Sequence, residues 1–309
     1  VLGRAGSDGS LLQYFVARGI PGRGMEPAAK GAEAAVKKGV PTGVAFFGRN
    51  TAAALAAAGV QADLIVGNNV LAQVPDLNDF VGGMPVVLKP DGVINLEFPH
   101  LVRLVEGNQL DTIYHEHFSY FSLMTTETIF ARHGLRLFDV EELPTHGGSL
   151  RIYACHEACP VHDASDRLQA VRDDEMTRGV NRLDYYSTFS EQAKETKRKL
   201  LDFLIRARRD GRRIAGYGAP GKGNTLLNYC GIRTDFLEYT VDRNPYKQGR
   251  FLPGTHVPIF HPNRIAETRP DYVLILPWNL REEIMNQLAY IREWGGKFVV
   301  PIPDTTVYS

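Results

Sequence analysis

The sequence predicts an α/β fold with two mostly parallel sheets, a larger one first and a smaller one after it. Short β-branched runs alternate with helical patterns in residues 10–94, and again in residues 211–309. In each region a glycine-rich turn joins a strand to a helix, at GRAGSDGS (3–10) and at GAPGKGN (218–224). Such alternation is typical of parallel sheets covered by helices on both faces. Both regions are therefore predicted to be Rossmann-like.

The first region begins with a two-residue apolar stub, followed at once by the glycine-rich turn. SLLQYFVARG (10–19) is predicted to be a helix with a serine cap and a terminal glycine. GVAFF (43–47), DLIVGNN (63–69) and GVINLEF (92–98) are predicted to be buried strands, because they are short, β-branched and bounded by turns. The alanine-rich stretches between them end in glycine, as helices do.

The pattern changes after this sheet. TTETIFARHG (125–134) predicts a helix, and LRLFDVEEL (135–143) and SLRIYACH (149–156) predict a terminal antiparallel pair of strands. In the charged region that follows, a long helix carries an apolar stripe formed by Leu200, Leu201, Leu204 and Ile205. The predicted domains are residues 1–160, a helical connector at 161–210, and residues 211–309.

The second region repeats the alternation of strands and helices. Its predicted elements, in order, are strand RIAGYGA (213–219), helix TLLNYCG (225–231), strand LEYTVDRN (237–244), strand DYVLILPW (271–278), helix NLREEIMNQLAYIREWGG (279–296) and strand KFVVPIP (297–303). This order again predicts a parallel sheet, smaller than the first.

Composition excludes several classes of partner. The 35 basic and 35 acidic residues cancel, so no global field favours nucleic acid or an anionic membrane. Apolar runs such as YVLILPW are much shorter than the roughly 20 residues of a membrane-spanning helix. Three cysteines form no disulfide framework, and no secretory signal pattern is present. We expect a cytoplasmic protein, and we expect further sequence upstream of the clipped first strand.

The amino-terminal turn is a candidate nucleotide site. Its residues Gly6, Asp8 and Gly9 stand where a ligand approaches the backbone at the start of a helix. Glu26 follows the next predicted strand, where a carboxylate accepts hydrogen bonds from both ribose hydroxyls of an adenosine. The alternative is a surface glutamate in a loop.

Two asparagines follow a later strand of the same sheet. Asn68 and Asn69 come directly after the apolar residues of DLIVGNN. Ligands of open α/β sheets bind at the carboxyl ends of strands, so both side chains are candidates for cofactor binding. The alternative interpretation is simple capping of the strand.

No metal is predicted for this chain. In DTIYHEHFSYFS (111–122), His115 and His117 are two residues apart, but no third ligand follows at a usual spacing. CHEACPVH (155–162) matches no common zinc spacing either.

The same segment is a candidate acid/base site. Imidazole titrates near neutrality, and a neighbouring carboxylate such as Glu116 tunes it. If the segment is extended, Tyr114 and Glu116 project to one side, whereas His115 and His117 project to the other. The alternative is a polar loop with satisfied side chains.

The second glycine turn is a candidate phosphate site. Its glycines admit a phosphate, and Lys222 supplies a point charge beside them. No Ser or Thr directly follows Gly-Lys, so the loop is not that of a magnesium-dependent nucleotide hydrolase. Arg243, Lys247 and Arg250 in VDRNPYKQGR place further positive charge after the next strand, and a diphosphate between the two elements is one interpretation. The other interpretation is that these basic residues lie in loops and face water.

Several motifs taken together resemble those of the sugar C-methyltransferases, which use S-adenosylmethionine to methylate C3 of nucleotide-linked 4-keto-deoxysugars. The resemblance covers nearly the whole chain and lies in NNVLAQVPDLNDFV, LEFPHLVRL, DTIYHEHFSYFS, PTHGGSLRIYA, GYGAPGKGNTLLNYCGI and VDRNPYKQGRFLPGTHVPI. It implies a class I methyltransferase domain followed by a second Rossmann-like domain. It also implies an amino-terminal zinc-binding domain, which we expect in sequence upstream of Val1.

The resemblance assigns roles to individual residues. Tyr114, His115, Glu116 and His117 correspond to the catalytic segment, with His117 as the base, Glu116 as its partner or competitor, and Tyr114 or His115 as donors to an enolate. Gln73 stands where the family carries a histidine, and Gly3 where it usually carries an acidic residue. The implied substrate-binding residues are Gln73, His146, Lys222, Asn224, Thr225, Arg243, Lys247 and Arg250.

Two other functions are weighed against this one. A binder of S-adenosylmethionine or a sugar nucleotide without turnover is favoured by Gly3 and Gln73. A dinucleotide-dependent oxidoreductase is disfavoured, because glycines at positions 3, 6 and 9 have the wrong spacing for the fingerprint.

Overall fold

The computed structural model describes residues 1–4 and 8–309, which form two compact units. The first unit contains residues 1–102 and 116–185, and the second contains residues 103–115 and 186–309. The predicted borders at 160 and 210 stay a prediction about functional domains. The compact units divide the chain differently, because the segment 103–115, which includes Tyr114 and His115, belongs to the second unit and the later border falls after residue 185.

The first unit is built on a mixed sheet, which has seven strands within the described residues. They are β1 (Leu2–Arg4), β2 (Arg23–Met25), β3 (Thr42–Gly43), β4 (Ala62–Asn68), β5 (Leu88–Pro99), β6 (Leu135–Leu143) and β7 (Ser149–His156). Their order is β3-β2-β1-β4-β5-β7-β6. The strands β1 to β5 pair in parallel, and β7 is antiparallel to β5 and β6. The predicted parallel sheet with a terminal antiparallel pair is confirmed.

Helices of the first unit follow the predicted pattern. They are α1 (Leu12–Val16), α2 (Ala29–Lys37), α3 (Arg49–Ala57), α4 (Leu77–Val87), α5 (Leu101–Glu106), α6 (Leu123–Ala131) and α7 (Asp166–Arg178), of which α5 leads into the second unit. The side chains of Asp76, Ser122 and Ser165 cap α4, α6 and α7 by accepting hydrogen bonds from backbone amides. Phe80, Phe98 and Phe130 are fully buried in the core.

Two local predictions for the first unit are wrong. Ser10 does not cap α1, because its amide and hydroxyl both bond to the Asp8 carboxylate and the helix begins after Leu11. The predicted strand 43–47 contributes only its first residue to β3, and Val44 and Phe46 are exposed. In both cases a neighbouring side chain or solvent, rather than the apolar run, determines the local backbone.

The second unit has a six-stranded sheet within the described residues. Its strands are β8 (Ile214–Tyr217), β9 (Thr240–Val241), β10 (Ile259–Phe260), β11 (Tyr272–Ile275), β12 (Lys297–Val300) and β13 (Thr306–Tyr308). The order is β10-β9-β8-β11-β12-β13, parallel except for β13. The second Rossmann-like sheet is therefore confirmed, with β10 and β13 as additions that the apolar pattern did not predict.

The helices of this unit are α8 (Phe189–Arg209), α9 (Gly221–Cys230), α10 (Arg264–Thr268) and α11 (Arg281–Gln287). In the predicted stripe of α8, Leu200 and Leu204 are fully buried, but Ile205 is exposed. The predicted helix 279–296 is interrupted, because α11 stops at Gln287 and a 3-10 helix occupies Ala289–Trp294. Among the helices of residues 1–4 and 8–309, none combines the length and apolarity that crossing a bilayer requires.

Candidate functional site

The carboxyl end of β2 carries the predicted ribose carboxylate. Glu26 directly follows this strand, and only 8% of its surface is exposed. Its Oε1 accepts a hydrogen bond from the amide of Ala28 at 2.9 Å, so Oε2 is left to accept one from a ribose hydroxyl. One carboxylate oxygen of Glu26 is therefore available to a hydroxyl donor.

Glu26 lines a small cavity together with three glycines. The lining residues are Gly3, Gly9, Leu12, Gly24, Met25, Glu26, Ala35 and Thr42, and the cavity volume is about 20 Å³. That volume holds about one water molecule. Leu12 packs directly over Gly3, where an added Cβ would lie 2.6 Å from its Cδ1. An adenosine bound here therefore requires the Leu12 side chain to move, and an acidic residue at position 3 has no room beside it.

Of the amino-terminal turn, Asp8 and Gly9 are described, whereas the predicted Gly6 lies outside the described residues. Gly9 has a φ of 75°, and a Cβ there would lie 3.0 Å from the Cα of Ala35, so only glycine fits. Asp8 pairs with Lys38 at 2.5 Å, and this hydrogen bond, supported by Ser10, lowers the pKa of Asp8 to about 2. Its carboxylate is thus engaged at the surface.

A strained residue lies at the carboxyl end of β4. Asn68 ends the strand and is exposed, whereas Asn69 has a φ of 49° and a buried Oδ1 for which the described residues offer no hydrogen-bond partner. Left-handed backbone at a non-glycine residue and an unpartnered buried acceptor are both characteristic of binding sites. Asn69 is accordingly the better placed of the two predicted asparagines.

Glu97, near the end of β5, organises this edge, and the sequence analysis did not single it out. It is buried; Oε2 accepts from the Asn69 amide at 3.1 Å, and Oε1 from the Thr145 hydroxyl at 3.2 Å. It thereby links the asparagine turn to the turn Thr145–Gly147, where the predicted His146 is exposed with a φ of 57°. An acidic residue inside an otherwise apolar strand, in LEFPH, is the signal that points to it.

The acid/base segment does not form an extended strand. A 3-10 helix, Leu110–Thr112, precedes it, and the backbone then bends at Tyr114 and turns at His115 and Glu116. The condition for an alternation of side chains between two faces, an extended segment, is therefore not met. His115 and Glu116 are exposed, and Tyr114 and His117 are half-buried.

This segment crosses the border between the units, which falls between His115 and Glu116. In the first unit, the amides of Phe118 and Ser119 donate to the carbonyl of Ala72 at 2.8 and 3.3 Å. Ala72 precedes the predicted Gln73, at the end of the 3-10 helix Leu71–Gln73. The chain around His117 is therefore attached to the loop that follows Asn69.

In the second unit, Lys222 is the second residue of α9, and its ammonium donates to Asn279 Oδ1 at 3.0 Å. The Thr225 hydroxyl bonds to the Gly221 carbonyl of its own helix. Asn224 has a buried Oδ1 that no described group bonds. Lys222 and Asn224 thus offer groups to a ligand, whereas the Thr225 hydroxyl is already engaged.

Of the three basic residues after β9, one reaches the glycine turn. Lys247 Nζ donates to the carbonyl of Ala219 at 2.8 Å. Arg243 is exposed and lies 3.8 Å from Glu283, on a separate cavity of about 390 Å³ that includes Tyr217, His261 and Tyr290. Arg250 is exposed. The structure therefore brings Lys247, but not the other two, to the turn that precedes α9.

The second glycine turn has the spacing of a dinucleotide fingerprint, which the sequence analysis missed. Gly216, Gly218 and Gly221 match G-x-G-x-x-G, and Asp242 follows about 20 residues later at the end of β9. Its carboxylate, however, accepts from the amides of Ala219 and Asn244, both at 2.8 Å. This carboxylate holds the turn in place instead of being available to a ribose.

No group of three or more His, Cys, Asp or Glu side chains in residues 1–4 and 8–309 is arranged to hold a metal ion. This finding concerns these residues alone.

Comparison with known proteins matches both regions of the chain. Residues 5–140 match a family model described as a methyltransferase domain, and residues 144–303 match the C-methyltransferase C-terminal domain. The C-methyltransferase NovU of Streptomyces niveus is 36% identical over 301 residues, which cover 97% of this chain and 71% of NovU.

Solved structures of methyltransferases are similar to half of the chain. An S-adenosylmethionine-dependent methyltransferase from Anabaena variabilis has 14% identity and a TM-score of 0.42 over 50% of this chain and 76% of that one. Magnesium protoporphyrin IX methyltransferase from Synechocystis has 13% identity and a TM-score of 0.41, over 50% and 73%. The family models and the similarity to NovU identify the chain as a member of the C-methyltransferase family, dependent on S-adenosylmethionine.

Proposed function

We propose that this C-methyltransferase methylates C3 of a nucleotide-linked 4-keto-deoxysugar through an enolate. The methyl acceptor of a C-methyltransferase is a carbon atom, and a saturated carbon has no lone pair with which to attack. A ketone at the neighbouring carbon solves this problem, because it makes the C3 proton acidic and delocalises the electron pair that remains. S-adenosylmethionine, when bound, supplies an electrophilic methyl group on a sulfonium.

The residues of the chain then have defined tasks. His117 removes the C3 proton, and Glu116 is its partner or its competitor for that role. Tyr114 or His115 donates a hydrogen bond to the oxyanion that develops on the ketone oxygen. Glu26 and Asn69 would hold S-adenosylmethionine, which would supply its methyl group to the C3 carbanion and keep the electron pair of the carbon–sulfur bond on sulfur.

The position of His117 is the observation that carries this proposal. Its segment is attached to Ala72 through two backbone hydrogen bonds, in the loop that follows Asn69. Asn69 and Glu26 follow strands at the carboxyl edge of the sheet, and we propose that this edge holds the cofactor. A half-buried imidazole near that edge is suited to a proton transfer next to the methyl group.

The nucleotide part of the proposal rests on the second unit. Lys222 at the start of α9 and Lys247 on the Ala219 carbonyl are the groups proposed for the diphosphate. The buried Oδ1 of Asn224 is an acceptor and is proposed for a hydroxyl or N–H donor of the same nucleotide. In functional terms, the first domain then binds the cofactor and the second binds the nucleotide. A sugar-nucleotide substrate also agrees with the cytoplasmic location expected from the sequence.

The test separates proton removal from methyl transfer. A nucleotide-linked 4-keto-6-deoxysugar tritiated at C3 reports proton removal as release of tritium to water, and labelled S-adenosylmethionine reports methyl transfer. We expect His117→Ala to lower both rates by about 100- to 10,000-fold, the range of a lost general base. His133→Ala is the matched control, because His133 is a surface histidine that bonds Arg49 and Asn78.

Parental rates in His117→Ala would refute the assignment of the base. Loss of tritium release in Glu116→Gln, with His117→Ala active, would transfer the role to Glu116. Binding of S-adenosylmethionine by the parent protein without either reaction would instead favour the binder without turnover for this substrate.

A further inference from the structure

Asp111 is a buried carboxyl group that the proposed mechanism does not use. It belongs to the 3-10 helix Leu110–Thr112, within the segment 103–115 of the second unit, and its surface is fully buried. Its Oδ2 accepts a hydrogen bond from the indole Nε1 of Trp278 at 2.8 Å. Its Oδ1 has no hydrogen-bond partner among the described residues.

Trp278 also contacts the lysine of the second glycine turn. The ammonium of Lys222 lies over the indole ring, 4.6 Å from its centroid, and donates to the neighbouring Asn279. Burial lowers the pKa of Lys222, and the negative charge of Asp111 opposes that effect. The indole ring is thus held by Asp111 at its edge and faces Lys222, while the two opposite charges attract each other.

Tyr114 follows Asp111 closely in the chain and touches the same turn. A Cβ added to Gly221 would lie 3.3 Å from Cε2 of the Tyr114 ring, which is closer than most real Cβ contacts, so the ring packs tightly against this glycine. The hydrogen bond between Asp111 and Trp278 ties this segment to the 3-10 helix Trp278–Leu280. The Tyr114 ring packs against Gly221 at the start of α9, next to Lys222.

A structural role alone does not account for a carboxylate here. A buried acid with one unpartnered oxygen is costly, whereas a carboxamide also accepts the indole hydrogen bond without the charge. The feature that distinguishes Asp111 from an asparagine is its negative charge, and the cation that faces this charge is Lys222.

We propose that Asp111 is a positioning residue for substrate binding, which acts through Trp278 to hold the Lys222 ammonium charged and in place beside Tyr114. This inference rests on the proposed function, since it takes the diphosphate of a sugar nucleotide as the group that Lys222 binds. Asp111 itself touches no substrate in this arrangement.

The first experiment tests, without any substrate, whether Asp111, Trp278 and Lys222 are coupled as proposed. The chain has two tryptophans, so indole ¹⁵N labelling gives two signals, and Trp294→Phe assigns them. The Trp278 signal should move with pH as Asp111 titrates, and Asp111→Asn should abolish that movement. Lys222→Met should shift its midpoint to higher pH, because the carboxylate loses its nearby cation.

The second experiment measures binding of UDP and dTDP by calorimetry. We expect Asp111→Asn and Lys222→Met each to weaken binding about 10- to 100-fold, the effect of losing one charge-assisted phosphate contact. The parent's affinity should fall at high pH as Lys222 loses its proton, and in Asp111→Asn this fall should begin at lower pH. In turnover, Asp111→Asn should raise KM more than it lowers kcat.

Thr196→Val is the matched control, because Thr196 is a buried residue whose hydroxyl bonds Asn108 of the same inserted segment. It should leave nucleotide affinity and its pH profile unchanged. Parental affinity for S-adenosylmethionine, a ligand of the first unit, shows that each variant is folded. Trp278→Phe, which removes the indole donor but keeps a ring under Lys222 and the charge of Asp111, provides a second variant and should weaken nucleotide binding less than Asp111→Asn.

The outcomes separate this inference from the proposed function. If the parent binds both nucleotides but Asp111→Asn binds them equally well with the same pH profile, the inference is overturned and the proposed function stands. If the parent binds neither nucleotide, the proposed substrate is wrong, and the inference as stated falls with it. A Trp278 signal that titrates identically in Lys222→Met refutes the coupling, whatever the nucleotide result.

Discussion

A buried carboxylate lies close to the candidate site of each unit, Glu97 in the first and Asp111 in the second, and the two are bonded differently. Glu97 in the first unit accepts one hydrogen bond on each oxygen, from the Asn69 amide and the Thr145 hydroxyl. Asp111 in the second unit accepts one from Trp278, and its other oxygen has no partner in the described residues. The first carboxylate joins two turns of the backbone, whereas the second faces a lysine.

This difference shows what each carboxylate contributes. A buried acid whose oxygens are both bonded stabilises the backbone that it joins. A buried acid that is only half bonded costs stability, and here desolvation raises the pKa of Asp111 from its usual 3.8 to about 6. We therefore expect opposite effects on folding when the two residues are replaced.

Of these replacements, Asp111→Asn should change the free energy of unfolding most, and it should stabilise the protein. A carboxyl whose pKa is higher in the folded state than in the unfolded state binds its proton more tightly when folded. Folding stability therefore falls as the pH rises from about 4 to about 6, by about 3 kcal/mol in total. Urea denaturation at pH 7.5 should show the variant more stable by about that amount.

The pH dependence is the control for this prediction. At pH 4, where Asp111 is protonated in the folded protein, the parent and Asp111→Asn should differ little in stability. A variant that is less stable than the parent at pH 7.5 would contradict the comparison. A stabilised variant with weaker nucleotide binding would agree with a charge retained for function.

Glu97→Ala should lower the free energy of unfolding, and by less than Asp111→Asn raises it. It leaves the Thr145 hydroxyl without its buried acceptor and removes one of the acceptors of the Asn69 amide, at a cost of about 2 kcal/mol. Glu97→Gln is the matched control. Its carboxamide oxygen accepts from Asn69 and its amino group donates to the Thr145 oxygen, so the loss should be below about 1 kcal/mol. Equal losses in both variants would show that the pattern of hydrogen bonds is not what matters.

Breaking the exposed pair of Asp8 and Lys38 should change the free energy of unfolding least. Lys38 lowers the pKa of Asp8 to about 2, so the pair stabilises the fold above pH 4 and loses that effect as the pH falls toward 2. Both side chains are more than a third exposed, and solvent screens them. Lys38→Met should therefore change the unfolding free energy at pH 7 by less than about 1 kcal/mol, and a loss comparable to that of Glu97→Ala would contradict this ranking.

The local sequence pattern predicted the main strands and helices well, because apolar runs and glycine turns depend on residues close together in the chain. The strand periodicity of DLIVGNN and GVINLEF gave β4 and β5, and GAPGKGN marked the turn from β8 to α9. It failed at Ser10, where Asp8 bonds the serine that would otherwise cap α1. It also failed at Leu288, where the predicted long helix is interrupted although its apolar pattern continues.

The sequence by itself determined the two α/β regions, the family motifs and the position of the YHEH segment in the chain, since each depends on residues close together in sequence. Only the tertiary structure decided that this segment bends, that Glu97 joins two turns, and that Asp111 meets Trp278 from 167 positions away. A hydrogen bond between distant residues depends on how sheets and helices pack. Neither periodicity nor spacing carries that information.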